Sequence, residues 1–324
     1  MTARHLNARR ALLAATLVAA TGIATAAHAR GCGTEQPAGR YAMDVASGGQ
    51  TRTVAYYVPS SYDPSRPAPL VVDFHGSTST AGEQLDRSEW ERVAEREGFV
   101  VAAPQGLVAG AKPDTFSWSI PGVSKPGGPD DMTFIKDAIA AVKTKLCVDD
   151  ARVYGTGFSG GGRVLSQFIC DGNDAFAAAG FVVGLRAGYP KETDGRWAPD
   201  AATCKPARPI PIVTISGLRD KTNPFEGGGQ PYWQYGAQAA LDRWVELDRC
   251  TGEPAVAQTG AVTKTTYASC AGASRITSFV IADAGHTWPS STALLKIQQD
   301  VGPVSFDLAG TDEIWRFFQD AAAR

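Results

Sequence analysis

The stretch that most constrains this chain is VYGTGFSGGGR, residues 153–163, because it admits two incompatible readings. Gly155, Gly157 and Gly160 spell G-x-G-x-x-G, the phosphate-cradling turn of a dinucleotide-binding fold. Gly157, Ser159 and Gly161 spell G-x-S-x-G, a sharp strand-to-helix turn that presents a nucleophilic serine. The two readings place different demands on the rest of the chain.

The dinucleotide turn should open the first βαβ unit and be followed by an acidic residue at the tip of the next strand. Here at least three predicted strands precede it, and the next predicted strand ends in FVVG with no carboxylate. The serine reading needs a strand before the turn, a helix after it, and tight packing at the flanking glycines. ARVYGTGF and RVLSQFIC supply the strand and the helix. The N-terminus of that helix offers free N–H groups to an oxyanion, and the N–H of Gly160 is the first expected donor. A second donor is expected from the loop after an earlier strand, where His75-Gly76-Ser77 stands, with Ser77 giving its backbone N–H.

The order of elements points to a parallel sheet. TRTVAYYVP (51–59), PAPLVVDFHG (67–76), FVVAAPQG (99–106), ARVYGTGF, AFAAAGFVVG (175–184), PIPIVTISG (209–217) and RITSFVIADAG (275–285) read as strands. Helices are expected over 82–97, 129–147, 163–170, 235–250 and 312–323. Residues 107–129, rich in Gly, Pro and Ser, read as a long surface loop. Alternating strands and helices predict a parallel sheet covered on both faces, in one domain without repeats.

A serine nucleophile also needs an imidazole base and an orienting acid, in the order Ser, acid, His. Asp220 follows the strand PIPIVTISG and His286 follows the strand that ends in ADAG, so both leave the edge where Ser159 emerges. Asp283 is the competing acid, three residues from His286 and still at the strand end. Histidine arithmetic narrows the base. His5 and His28 belong to an N-terminal leader, and His75 is assigned to shaping the oxyanion loop. His286 remains.

The leader is read from Arg4, Arg9 and Arg10, the Ala-rich run from Ala11, and Ala27-His28-Ala29 as an A-x-A processing site. Residues 1–29 are thus a signal peptide and 30–324 the mature catalytic domain, exported from the cytoplasm. The apolar run falls short of the roughly 20 residues that a membrane span needs. Arg9-Arg10 partly matches a twin-arginine signal. A formal charge of -2 gives no footprint for nucleic acid and no polybasic membrane signal. All 6 cysteines lie beyond Ala29, an even number that fits disulfides in an exported chain. Cys250 and Cys270, bracketing a short segment after a helix, are one expected pair; Cys32, Cys147, Cys170 and Cys204 leave three connectivities open. Two mature histidines and no C-x-x-C exclude the usual multi-histidine or zinc sites.

Five segments, FHGS, DDMTFIKDAI, RVYGTGFSGGG, SGLRDKTNPFEGG and AGHTWP, resemble in order and spacing the secreted esterase family of feruloyl esterases and polyhydroxybutyrate depolymerases, which is carbohydrate esterase family 1-like. The similarity runs from about residue 31 to the C-terminus. It implies an α/β-hydrolase fold, a mostly parallel twisted sheet with helices on both faces, and a serine carboxylic-ester hydrolase without a cofactor. Motif against motif, the nucleophile falls on Ser159, the acid on Asp220 and the base on His286. The opening GCG and the Cys250/Cys270 spacing look like feruloyl-type members. This chain departs at Ser216-Gly217, where the family commonly has His-Gly, at Gly160, often Ala or Asn, and at Ala284-Gly285, often Gly-Gly.

The expected substrate is a small-molecule or polysaccharide-borne ester, hydroxycinnamoyl esters of plant cell wall first and short polyhydroxybutyrate-type polyesters second. The Thr-rich linker and binding domain common to solid-polyester depolymerases do not follow the closing helix, which favours the first. Trp118, Phe225, Tyr232, Trp233 and Trp288 are candidates to line the acyl pocket. A peptidase and a non-catalytic binding protein are the rivals; loss of a triad member would mark the latter.

Overall fold

The structure, a computed structural model, describes residues 1–2, 31–120, 124–229 and 233–322. The leader read from the sequence, apart from its first two residues, and Tyr232 lie outside them. Strands β1 (Gly39–Ser47) and β2 (Gln50–Val58) form a hairpin through Gly48 and Gly49, both at positive φ, as a two-residue hairpin turn requires. Then come β3 (Ala68–Phe74), α1 (Ala81–Ser88), α2 (Trp90–Glu97), β4 (Val100–Pro104) and a short ribbon of β5 (Val108–Ala109) with β6 (Phe116–Ser117). Helix α3 (Asp131–Lys145), β7 (Val148–Phe158), α4 (Gly160–Cys170) and β8 (Ala178–Val182) follow. A second ribbon, β9 (Pro190–Thr193) with β10 (Arg196–Pro199), precedes β11 (Ile212–Gly217) and α5 (Ala237–Leu247). The chain closes with β12 (Ala255–Thr259), β13 (Val262–Tyr267), β14 (Ile276–Ile281), α6 (Gln298–Val301) and α7 (Gly310–Ala322).

One 10-stranded sheet runs β1-β2-β4-β3-β7-β8-β11-β14-β13-β12. Its centre, from β4 to β14, is parallel throughout. Antiparallel pairs finish both edges. Strands β3, β4 and β8 are buried at every position, so they read as continuous apolar runs rather than alternating ones. Leu85, Trp90, Val93, Ile314 and Phe318 form the core on one face, and Phe134, Ile135, Val164, Phe168 and Trp244 the core on the other. The chain moves outward from β3 to β4, then returns to the other side of β3 at β7. Such a reversal opens a crevice at the carboxyl ends of the two strands, the usual place for a ligand in an open α/β sheet.

The single helix expected over 82–97 is two. Glu89 takes the left-handed conformation, φ 53° and ψ 26°, between α1 and α2. The reason is phase: Leu85 and Trp90, five residues apart, would diverge by about 140° on one continuous helix. The break lets both bury, and Trp90 then donates its Nε1–H to Thr156 Oγ1 at 3.2 Å. Among the described residues, β1, β12, β13 and the β9–β10 ribbon were not expected from the sequence.

Three disulfides join Cys32 to Cys147, Cys170 to Cys204, and Cys250 to Cys270. The second fastens the last residue of α4 to the segment entering β11 across 34 residues of chain. No helix among the described residues is long and apolar enough to cross a membrane. Replacing Cys170 and Cys204 together by serine should lower the unfolding free energy by about 2–4 kcal/mol, measured as a shift in the urea midpoint under non-reducing conditions.

Candidate active site

Ser159 sits at φ 52° and ψ -115°, a region that non-glycine residues avoid, between the end of β7 and the first residue of α4. The turn is held from both sides: Ser159 N–H donates to Val182 O at 2.9 Å, and Ser159 O accepts from Arg163 N–H at 3.1 Å. The glycines answer to packing. A Cβ on Gly161 would lie 2.0 Å from Phe74 O, and one on Gly157 would lie 2.5 Å from the backbone of Gly161. The ends of β3 and β7 and the start of α4 therefore touch backbone to backbone, the close packing that the serine reading of VYGTGFSGGGR asks of its flanking glycines.

His286 Nε2 lies 2.8 Å from Ser159 Oγ, and His286 Nδ1 lies 2.7 Å from Asp220 Oδ2. A carboxylate cannot donate, so Nδ1–H donates to Asp220 and Nε2 is left to accept from the serine hydroxyl. Asp220 Oδ1 accepts two more bonds, from Thr222 N–H at 2.9 Å and Asn223 N–H at 2.8 Å. All three side chains are buried. The loop of the base is fixed by its backbone, His286 N–H to Val301 O at 2.6 Å and Gly285 N–H to Pro303 O at 2.8 Å. Asp283, the competing acid, does not reach the imidazole; its Oδ1 has no hydrogen-bond partner among the described residues.

Gly160 and Ser77 are neighbours: a Cβ on Gly160 would lie 2.8 Å from Ser77 N. As the first residue of α4, Gly160 has an N–H with no acceptor inside the helix. The loop carrying Ser77 is shaped by His75, which is fully buried. His75 Nε2 accepts from Gly106 N–H at 2.9 Å, so the proton is on Nδ1, which donates to Gly76 O at 2.7 Å. Burial drives the His75 pKa down to about 4, against the upward pull of its bond to Gly76. Trp118 donates Nε1–H to His75 O at 2.8 Å, and the next residue, Ser119, donates its N–H to Asp131. Asp131 in turn pairs with buried Arg52 at 2.7 Å. The segment expected as a surface loop over 107–129 thus anchors the strand end beside Ser159.

The aromatic expectations need correction. Trp118 and Trp288 are core residues, 2% and 1% exposed, with Nε1–H donated to His75 O and Thr311 Oγ1. Trp118 tilts against His75 and Trp288 against Phe158, with little surface left to meet a substrate. Trp233 is likewise buried, with the guanidinium groups of Arg163 and Arg186 5.0 and 4.7 Å from its ring. Phe225, half-buried in the loop after Asp220, keeps exposed surface. The sequence reading missed the polar residues around the triad. A recess one helical turn from Ser159 is lined by Ile120, Arg163, Gln167, Arg186, Gly188 and Tyr189. A larger cleft of about 730 Å³ lies at the amino ends of β3 and β7, away from the triad.

No family model matches the chain. In sequence it is similar to feruloyl esterase B of Piromyces equi, 30% identical over 63% of this chain and 37% of that one. It is also similar to feruloyl esterase C of Emericella nidulans, 27% identical over 96% of this chain and 99% of that one. The chain therefore spans little more than a third of the first relative and nearly the whole of the second. Among solved structures, it superposes on an acetyl xylan esterase from Aspergillus awamori with TM-score 0.56 at 15% identity, covering 86% of this chain and 99% of that one. An S-formylglutathione hydrolase from Agrobacterium tumefaciens gives TM-score 0.55 at 13% identity, with 86% and 94% covered. The fold is that of the α/β-hydrolases.

The depressed pKa of His75 has a consequence for stability. Below about 6.5 the unfolded chain takes up a proton that the folded chain refuses until about pH 4, so this stability is lost as pH falls through that window. The stability advantage of the wild-type chain over a His75→Gln variant should therefore narrow between pH 7 and pH 4.5, as measured by urea unfolding at the two values.

Proposed function

We propose that the chain is a serine carboxylic-ester hydrolase that works through an acyl-enzyme. The observation that carries this reading is the unbroken hydrogen-bonded series Ser159, His286, Asp220 at 2.8 and 2.7 Å. Ser159 Oγ attacks the ester carbonyl while His286 Nε2 takes its proton. Asp220 holds the imidazole tautomer and stabilises the imidazolium. The N–H groups of Gly160 and Ser77 receive the developing oxyanion, aided by the positive end of α4. His286 then passes its proton to the leaving alcohol, activates a water on the same side, and returns the proton to Ser159 as the acyl group departs.

The substrate class we propose is a hydroxycinnamoyl ester borne by plant cell-wall saccharide. Support comes from sequence relatives named as feruloyl esterases, one matched over 99% of its length. Three disulfides suit an oxidising compartment, so the protein is proposed to act outside the cytoplasm.

Purified, oxidised Ser159→Ala protein should lose p-nitrophenyl acetate hydrolysis by a factor on the order of 10⁴–10⁶; wild-type turnover in that variant would overturn the mechanism. Methyl ferulate should be turned over faster than acetylated xylan or a hydroxybutyrate trimer, and no activity on methyl ferulate would remove the substrate assignment.

A further inference from the structure

Asn223 is 5% exposed and stands three residues after Asp220, and its backbone N–H and both ends of its side-chain amide are bonded. Its N–H donates to Asp220 Oδ1 at 2.8 Å. Its Nδ2–H donates to Val183 O at 2.8 Å, and its Oδ1 accepts from an Arg186 N–H at 3.2 Å. Each of these contacts leads to the triad. Val183 sits at φ 47°, strained for a β-branched residue, and is followed by Gly184. A Cβ on Gly184 would lie 2.5 Å from Ser159 O, so the segment that Asn223 grips is the one pressed against the nucleophile's turn. Arg186 is fixed independently: it donates to Tyr235 O at 2.7 Å, and its guanidinium lies 4.7 and 4.6 Å from the rings of Trp233 and Tyr235.

We infer that Asn223, held by Arg186, is a positioning residue that fixes the turn aiming Asp220 at His286 and ties that turn to the strand end beside Ser159. The inference rests on the serine-hydrolase reading above. It assigns Asn223 no contact with substrate. Without the side-chain bonds to Val183 and Arg186, the turn that carries the Thr222 and Asn223 N–H groups would be free to shift, and the carboxylate they hold would shift with it, weakening the hydrogen bond that stabilises the imidazolium. Arg186 supplies a second, electrostatic component: it is a buried cation whose charge Asp220 helps to sustain, and Asn223 is the neutral spacer between them.

The charges around His286 are few enough to state. Asp220 faces Nδ1, flanked by exposed Arg219 and Lys221 on the same loop. Asp283 lies on the loop of His286, and Asp300 on α6, whose Val301 accepts from His286 N–H. Arg87, from α1, lies over Phe158, whose ring packs against the imidazole. Arg163 and Arg186 lie over the Trp233 ring, and burial holds the His75 pKa down at about 4. Two of these groups are bonded to Asn223: Asp220 through the Asn223 N–H, and Arg186 through Oδ1.

The test is the pH dependence of kcat/KM for p-nitrophenyl acetate, on the full oxidised chain and two variants. Asn223→Ala deletes both side-chain bonds and leaves the Arg186 cation without its spacer. Its plateau should fall about 10–100-fold, the cost of a misplacement of about 1 Å. The midpoint of its acid limb should move to lower pH by about half a unit, because a less well-held Asp220 stabilises the imidazolium less. Asn223→Asp keeps an acceptor for Arg186 but adds a negative charge, and should move the midpoint to higher pH. Shifts of opposite sign support the inference. Unmoved midpoints in both variants, or shifts of the same sign, overturn it, since a reduced folded fraction scales the whole profile without displacing it. Should Asn223→Ala fail to unfold cooperatively, Asn223→Asp, which loses the N–H donated to Val183 O, decides by its plateau per folded molecule: a fall supports the inference and a wild-type plateau overturns it. An inactive wild-type chain, or activity that survives Ser159→Ala, sinks the hydrolase reading. Ser159-dependent activity with unmoved limbs sinks this inference only.

Discussion

Everything at the catalytic end of the sheet depends on one contact between backbones, where α4 starts against the end of β3. Gly161 comes so near the Phe74 carbonyl that no side chain fits between them. That approach forces Ser159 into a conformation a serine would otherwise avoid, and so aims its hydroxyl out of the sheet rather than into the core. It also sets Gly160 beside Ser77, so the two N–H groups proposed to meet an oxyanion are paired by the packing that creates the turn. The proposed nucleophile and anion site thus rest on one packing contact, and the room for a side chain at Gly157 and Gly161 is correspondingly small.

The remaining parts of the site are braced from behind. Arg52 and Asp131, nearly sealed from solvent, hold Ser119 and thereby Trp118, whose indole supports the carbonyl of His75. On the other side Arg186 and Asn223 hold the acid. Buried ion pairs and fully bonded polar chains contribute little net stability against an apolar replacement, but their loss leaves an uncompensated charge. Their value here is placement. The sheet provides a rigid rim, and the polar braces select one arrangement of the loops upon it.

Much of this was legible in the string because it is local. The apolar runs of β3, β8 and β11, the strand–turn–helix around Ser159, and the loops carrying Asp220 and His286 each announce themselves within about ten residues. What escaped was set by partners far along the chain. The bond between Cys32 and Cys147 spans 115 residues, and nothing near either cysteine favours the other. Trp118 looked like a pocket aromatic because a loop rich in Gly and Pro surrounds it; its burial is decided by His75, 43 residues earlier. Asn223 and Arg186 carry no motif and become meaningful only once β8 and β11 lie side by side. The outer strands β1, β12 and β13 were missed because exposed or half-exposed strands with Thr and Ser lack the strong signal of a buried one.

Glu89, the residue that interrupts α1 and α2, has a second attachment. Its carboxylate accepts from the N–H and hydroxyl of Thr292, six residues beyond His286. Glutamate is itself a helix-favouring residue, so packing rather than propensity imposes the break. A neutral helix former chosen there to toughen the surface would leave the break in place and unhook the segment behind the imidazole. Local propensity is a poor guide to engineering this molecule wherever an irregularity is shared by two distant parts of the chain.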